Sequence, residues 1–175
     1  DDVHGGAGEQ AVSLYLSIAR RMDEGASLED ATAGGLADWK AAHGRFVPGF
    51  VHRFHPIDPR SPRLLALVDE ATRNGTISGR FAGIARDVER SIGKTGKPVP
   101  MNIDGATAVI FAELGFPAPM ARGLFLLSRA VGILAHAWEQ TGQGGRIKGP
   151  CPPEFLYRYD GEPPRDLPAA TEPTR

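Results

Sequence analysis

The sequence predicts an all-α fold, on three observations. Apolar residues recur at the three- and four-residue spacing of a helix in segment after segment. Glycine and proline punctuate those segments. No alternating run is long enough to make a convincing strand.

The elements follow in order. Ala11, Leu14, Leu16, Ile18, Ala19 and Met22 define a first helix opened by the His4-Gly5-Gly6 segment and closed by Gly25. Ser27 with Asp30 three residues on starts a second helix that runs through Trp39 to about His43. Gly44 to Ser61, "GRFVPGFVHRFHPIDPRS", carries too much proline and glycine for a helix and reads as an ordered loop. Ser61 and Pro62 have the chemistry of an N-cap and first helical residue, and that helix ends near Asn74 and Gly75. A fourth helix spans about Arg80 to Ile92. Asp104 is expected to cap a fifth, through Leu114, before Gly115 and Pro117. The longest pattern covers Pro119 to Thr141, with Leu124, Leu127, Val131 and Leu134 on one side. Beyond Gly144 the chain is rich in proline and glycine, and its last dozen residues have the composition of a disordered tail.

Composition narrows the function classes. The 175 residues suffice for one domain or two unequal lobes, and 41% apolar with 23% charged content is ordinary for a soluble protein. A formal charge of −1 without a Lys/Arg run lacks the footprint of a nucleic-acid binder, while a small charged or phosphorylated ligand stays open. The single Cys151 cannot form an internal disulfide, which fits a reducing compartment. No stretch reads as long and apolar enough to cross a bilayer, and the acidic start is unlike a signal peptide, so the expected location is cytoplasmic and no membrane partner is expected.

Several motifs are weighed and set aside. Gly93-Lys94-Thr95 lacks the upstream glycine and preceding strand of a phosphate loop, since Val88 stands five positions earlier. Cys151, in "GPCPP", reads as an inert thiol. His52 and His55 have ligand spacing but no third ligand, so no metal is expected. Three titratable residues remain. His4 is either a surface histidine or a neutral imidazole before a helix N-terminus. His52 is either a loop histidine bonded to backbone or a functional one beside Arg53, Arg60 and Arg63, which can hold carboxylates or phosphates. Asp104 reads as an N-cap, a role compatible with an ionised, oriented base. Arg129, inside "FLLSRAVGILAHAW", either snorkels to the surface or points a cation into a cavity. His136 reads as a packed core histidine.

Five blocks in order, "VHGGAGEQAV", "VPGFVHRFHPIDPR", "PMNIDGATAVIFAELGFP", "SRAVGILAHAWEQ" and "GGRIKGP", resemble the C-terminal half of the citrate synthase superfamily, which includes citryl-CoA lyases and the lyase module of ATP-citrate lyase. The resemblance implies a citrate synthase-like helical fold. Residues 1–110 would form a small, mobile CoA-binding domain, 111–150 the C-terminal part of a large helical domain whose N-terminal part is absent, and 151–175 an extended tail. It implies that Asp104 is the base at the carbon next to the thioester, that His4 stabilises the enol, and that His52 polarises, or exchanges a proton with, the carbonyl or hydroxyl of the oxaloacetate-derived partner. Arg60 and Arg129 would grip its carboxylates. Val47, Pro48, Gly49, Phe50 and Val51 would line the coenzyme A adenine, with Arg53 and Lys97 also on the CoA side.

Two departures bear on the reaction. Gly105 follows the aspartate where the family's synthases usually carry an aromatic residue. Gly149 replaces an arginine that reaches the neighbouring subunit's site, with Arg146 or Lys148 as substitutes for its charge. With the shorter "HRFHPIDPR" loop, this favours cleavage of citryl-CoA to acetyl-CoA and oxaloacetate. The alternatives are the synthase direction or a catalytically inactive CoA-binding module. The implied partners are an acyl-CoA, a C4 dicarboxylate, further copies of the chain in a homodimer or higher oligomer, and a missing N-terminal segment or second chain. No tightly bound cofactor is implied, since the CoA thioester is substrate.

Overall fold

In a computed structural model, which describes residues 5–93, 98–144 and 162–163, helix α1, Gly6–Asp23, is the hub. Its apolar residues face more than one neighbour: Ala11, Val12, Leu14, Tyr15, Ile18 and Ala19 are all buried. Around it pack α2, Leu28–His43, α4, Arg80–Gly93, and α5, Ile103–Glu113, while α3, Ser61–Arg73, packs on α5. A sixth helix, α6, runs Ala118–Gln143. The described residues contain no strand; the nearest approach is an isolated antiparallel bridge between Phe50 and Met101.

Local chemistry sets the helix ends. The Ser27 hydroxyl accepts the Asp30 N–H at 3.1 Å, the cap expected for α2. Gly25, Gly44, Gly75 and Gly115 take positive φ at or just beyond helix ends, where a side chain would be strained. Gly35 lets α1 and α2 approach closely, because a Cβ there would collide with Ile18 Cγ1. The end of α5 ties down the start of α4: Glu113 accepts N–H bonds from Gly79 at 3.1 Å and Phe81 at 2.7 Å, and the Ser78 hydroxyl at 2.8 Å. A carboxylate there satisfies donors that have no partner within the helix and sits at the positive end of its dipole.

Two expected caps are displaced. Ser61 is the first residue of α3 and Arg60 occupies the cap position without a side-chain cap bond. Asn102, not Asp104, caps α5, with its side chain accepting from the Asp104 and Gly105 N–H groups.

The chain divides into two units, residues 1–136 and 137–175; the candidate site lies in the first. The division expected at residues 110 and 111 lies inside α5. Within α6, Ala121 is buried, whereas Leu127, Val131 and Leu134 are exposed. His136 is also exposed rather than packed in a core. Contrary to the sequence expectation, α6 is long and apolar enough by composition to cross a membrane. Its first half is nevertheless tied to the folded unit, where Arg122 pairs with Glu9 of α1.

Candidate functional site

A cleft of about 360 Å³ opens where the N-terminal ends of α1 and α5, the loop after α2 and the first half of α6 meet. It gathers His52, Arg53, Arg60, Asp104 and Arg129, five residues singled out from sequence, drawn from three positions of one loop and from two helices. Arg63 does not line it. His4 lies outside the described residues, but Gly5, which follows it, lines the cleft with a left-handed φ of 81°. Lys97, Arg146, Lys148, Gly149 and Cys151, with nearly all of the 151–175 tail, also lie outside the described residues.

His52 is bonded to backbone, one of the two readings left open by the sequence, and it also lines the cleft. Its Nδ1 accepts the N–H groups of Phe54 at 3.2 Å and His55 at 3.1 Å. A ring nitrogen that accepts holds no proton, so the proton sits on Nε2, which becomes a donor. The backbone therefore fixes the tautomer and leaves a hydrogen-bond donor for a carbonyl or hydroxyl.

Asp104 is half-buried in the first turn of α5. Because Asn102 takes the capping role, the Asp104 carboxylate is not committed to backbone N–H groups. Burial pushes its pKa upward, Arg60 opposes that, the negative charge of Asp58 adds to the rise and Arg129 opposes it. The sequence expectation of a cap held firmly ionised is thus corrected: this carboxyl holds its proton more readily than an ordinary aspartate.

Asp58 organises the site, and the sequence analysis passed over it. It is 1% exposed and accepts the Arg60 Nε and Nη2 donors at 3.0 Å each, the Arg60 N–H at 3.1 Å and the Ile103 N–H at 2.9 Å. The Arg60 bonds and those from the two backbone N–H groups hold its carboxyl well below the usual carboxylate range, against the opposing effect of burial. Arg60 is thereby locked as a fork with its remaining donors free for an anion, and α5 is pinned beside it. With Asp58 neutralised by Arg60, the cleft presents Arg53 and Arg129 against one carboxylate, Asp104. Arg129 stacks on Phe125, with its guanidinium carbon 4.5 Å from the ring centroid, and Phe125 in turn abuts Gly5.

The loop that carries Val47 to Val51 lies between this cleft and a second one of about 450 Å³. Val47 lines the second cleft with Leu36, Lys40, Arg45, Ser91 and Ile92, while Val51 lines the first. Pro48 is half-buried, and Gly49 and Phe50 are buried. Lys40 and Arg45 are basic residues beside this loop that sequence reasoning missed, because scattered cations carry no motif. Gly49 presses on α5 so closely that a Cβ on it would stand 2.7 Å from the Gly105 Cα, so both positions require glycine. Val51 is the single non-glycine with positive φ among the described residues, at 67°, a conformation that costs a β-branched residue on the order of 1–3 kcal/mol.

Residues 1–151 match the family described as citrate synthase, C-terminal domain. The citrate synthase of Acidithiobacillus ferridurans is 30% identical over 155 residues, which cover 85% of this chain and 37% of that protein. Among solved structures, the citryl-CoA lyase of Hydrogenobacter thermophilus is similar with a TM-score of 0.65 at 30% identity, over 96% of this chain and 62% of that one. The citrate synthase of Thermotoga maritima gives 0.61 at 26% identity, over 93% and 42%. The chain thus spans less than half the length of the curated citrate synthase it matches.

Proposed function

We propose that this chain, which belongs to the citrate synthase family through its C-terminal domain, forms part of an enzyme that cleaves citryl-CoA to acetyl-CoA and oxaloacetate. The observation that carries this reading is the convergence of His52, Arg60, Asp104 and Arg129 on one cleft. Its chemistry matches the steps. Arg60 and Arg129 hold the carboxylates of the C4 portion. His52 donates a hydrogen bond from Nε2 to the hydroxyl oxygen that becomes the oxaloacetate carbonyl, while the hydroxyl proton passes to solvent in the open cleft. As that proton leaves, the carbon–carbon bond breaks, and its electron pair moves into the thioester as an enolate. Asp104 delivers a proton to the enol carbon, which becomes the acetyl methyl. An upward-shifted carboxyl suits this donation, because it holds a proton nearer neutrality than an ordinary aspartate. His4 is the proposed donor to the enol oxygen, a contribution of about 3–4 kcal/mol for such a group.

The coenzyme A portion lies along the 47–51 loop, with Arg53 and Lys97 on its phosphates, and Arg146 adds charge to the site. The exposed apolar face of α6 fits a homodimer or larger oligomer, and the single cysteine fits a cytoplasmic setting.

Citrate synthesis is the second reading. The same three groups serve both directions by microscopic reversibility, with Asp104 as base towards acetyl-CoA. The glycine contact between positions 49 and 105 supports the lyase reading, since the family's synthases usually carry an aromatic residue after the aspartate.

The test is to assay the protein for citryl-CoA cleavage and for condensation of acetyl-CoA with oxaloacetate. Cleavage that drops by about 10²- to 10⁴-fold in Asp104→Asn supports the proposal. Undiminished turnover in that variant overturns it.

A further inference from the structure

His52 and Asp104 come from segments fifty-two residues apart, and one side chain joins them. Asn102 donates from its backbone N–H to the Gly49 carbonyl at 2.9 Å and from Nδ2 to the Val51 carbonyl at 2.8 Å. Its Oδ1 accepts the Asp104 N–H at 2.9 Å and the Gly105 N–H at 3.2 Å. The same amide group therefore caps the helix that carries Asp104 and grips the peptide immediately before His52. That peptide belongs to Val51, whose left-handed backbone no β-branched residue adopts unaided. The Val51 N–H is fixed from the same side, donating to the Pro100 carbonyl at 2.8 Å. A strained residue persists only where its surroundings over-determine it, and here those surroundings are residues 100 to 102.

We propose that Asn102 is a positioning residue: it clasps the left-handed Val51 turn to the first turn of α5, so that the His52 donor and the Asp104 carboxyl are held in one register. The catalytic part of this proposal rests on the function argued above. The clasp touches the reacting groups only through their backbones. Asp58 makes a separate tie at Ile103 and Arg60 and does not reach Val51, so the two ties are separable by mutation.

The discriminating variant is Asn102→Ser. Serine is a favoured, uncharged N-cap, so α5 keeps its start, but its shorter side chain withdraws from the Val51 carbonyl. Asn102→Ala removes cap and clasp together and serves as the comparison for loss of fold. In Asn102→Ser, thermal unfolding stays close to wild type. Amide hydrogen exchange accelerates about tenfold or more at Val51, Phe54 and His55 but not in α1. The Phe54 and His55 amides are the two that His52 Nδ1 accepts, so they report the orientation of the imidazole itself. In the cleavage assay kcat falls about 10- to 100-fold, while KM for the acyl-CoA stays within about twofold.

Unchanged exchange at those three amides overturns the clasp whatever the activity. Accelerated exchange with wild-type kcat leaves a structural tie and overturns the positioning role. If the wild-type protein turns over neither substrate set while the variant's exchange accelerates, the functional reading falls and the clasp stands.

Discussion

The cleft is built from two regions that contrast in how they are held. Around α1, side chains such as Ile18 are 0% exposed, and the groups that line the cleft are tied by backbone bonds: Asp58 to Ile103, Asn102 to Val51, His52 to Phe54 and His55. On α6, Leu127 is 69% and Leu134 72% exposed, and Arg129 is steadied by a stacking contact on Phe125. One wall of the site is thus preorganised by a packed core. The other is anchored near its start, by buried Ala121, the Arg122–Glu9 ion pair and an aromatic contact. The groups proposed to act at the reacting atoms, His52 and Asp104, sit on the rigid wall, where small displacements are costly. Arg129, proposed to grip an anion, sits on the loosely supported one.

The largest effect expected from this contrast is on stability. Ile18→Ala should destabilise the protein by about 2–5 kcal/mol, whereas Leu134→Ala should change it by less than about 0.5 kcal/mol, both read by denaturant unfolding. Comparable losses at the two positions would break the comparison.

Next come the two arginines. Each of Arg60→Ala and Arg129→Ala should raise KM for the dicarboxylate portion by about 10- to 100-fold, from loss of a charge-assisted contact. Arg60→Ala alone should also cost about 1–3 kcal/mol of stability, because it strips partners from the buried Asp58. Equal stability in the two variants would show that Asp58 does not depend on Arg60.

A smaller effect follows from Asp104. Its folded pKa is raised, so the folded state binds the proton more tightly than the unfolded chain does. Lowering pH through the carboxylate range therefore relieves a cost that is fully felt above the folded pKa. Asp104→Asn should accordingly raise the melting temperature at neutral pH, with the gain vanishing in acid. Asp58 has the opposite sign. Its folded pKa is depressed, so its contribution is present above about pH 4 and is lost as pH falls below that. A melting temperature for Asp104→Asn that tracks wild type at every pH would contradict the burial assigned to this carboxyl.

Helices were legible where short-range chemistry decides them. Ser27 as a cap and the glycines at 25, 44, 75 and 115 mark ends that depend on local backbone alone. The same local rules misplaced the start of α5, since Asn102 and Asp104 are both good caps. The choice between them is made by Asp58, forty-five residues away, which takes the Ile103 N–H. His52, Arg60 and Arg129 were legible as residue types out of place in a loop or an apolar run, whereas Asp104 read from sequence as an N-cap and was singled out through the family resemblance. Asp58 was not, because in sequence it is one aspartate beside a proline and its importance comes from the partners it reaches. His136 was misread because periodicity gives the spacing of a helix face but not whether anything covers it.

The most direct test of the central claim, that Asp104 moves a proton at the carbon beside a thioester, is deuterium incorporation into the methyl group of acetyl-CoA in D₂O, with an unreactive C4 dicarboxylate analogue present. Wild-type protein should catalyse the exchange, faster as pH rises through the raised pKa of Asp104, and Asp104→Asn should lose it. Exchange at equal rates in the two proteins, or none above solvent in the wild type, would contradict the assignment.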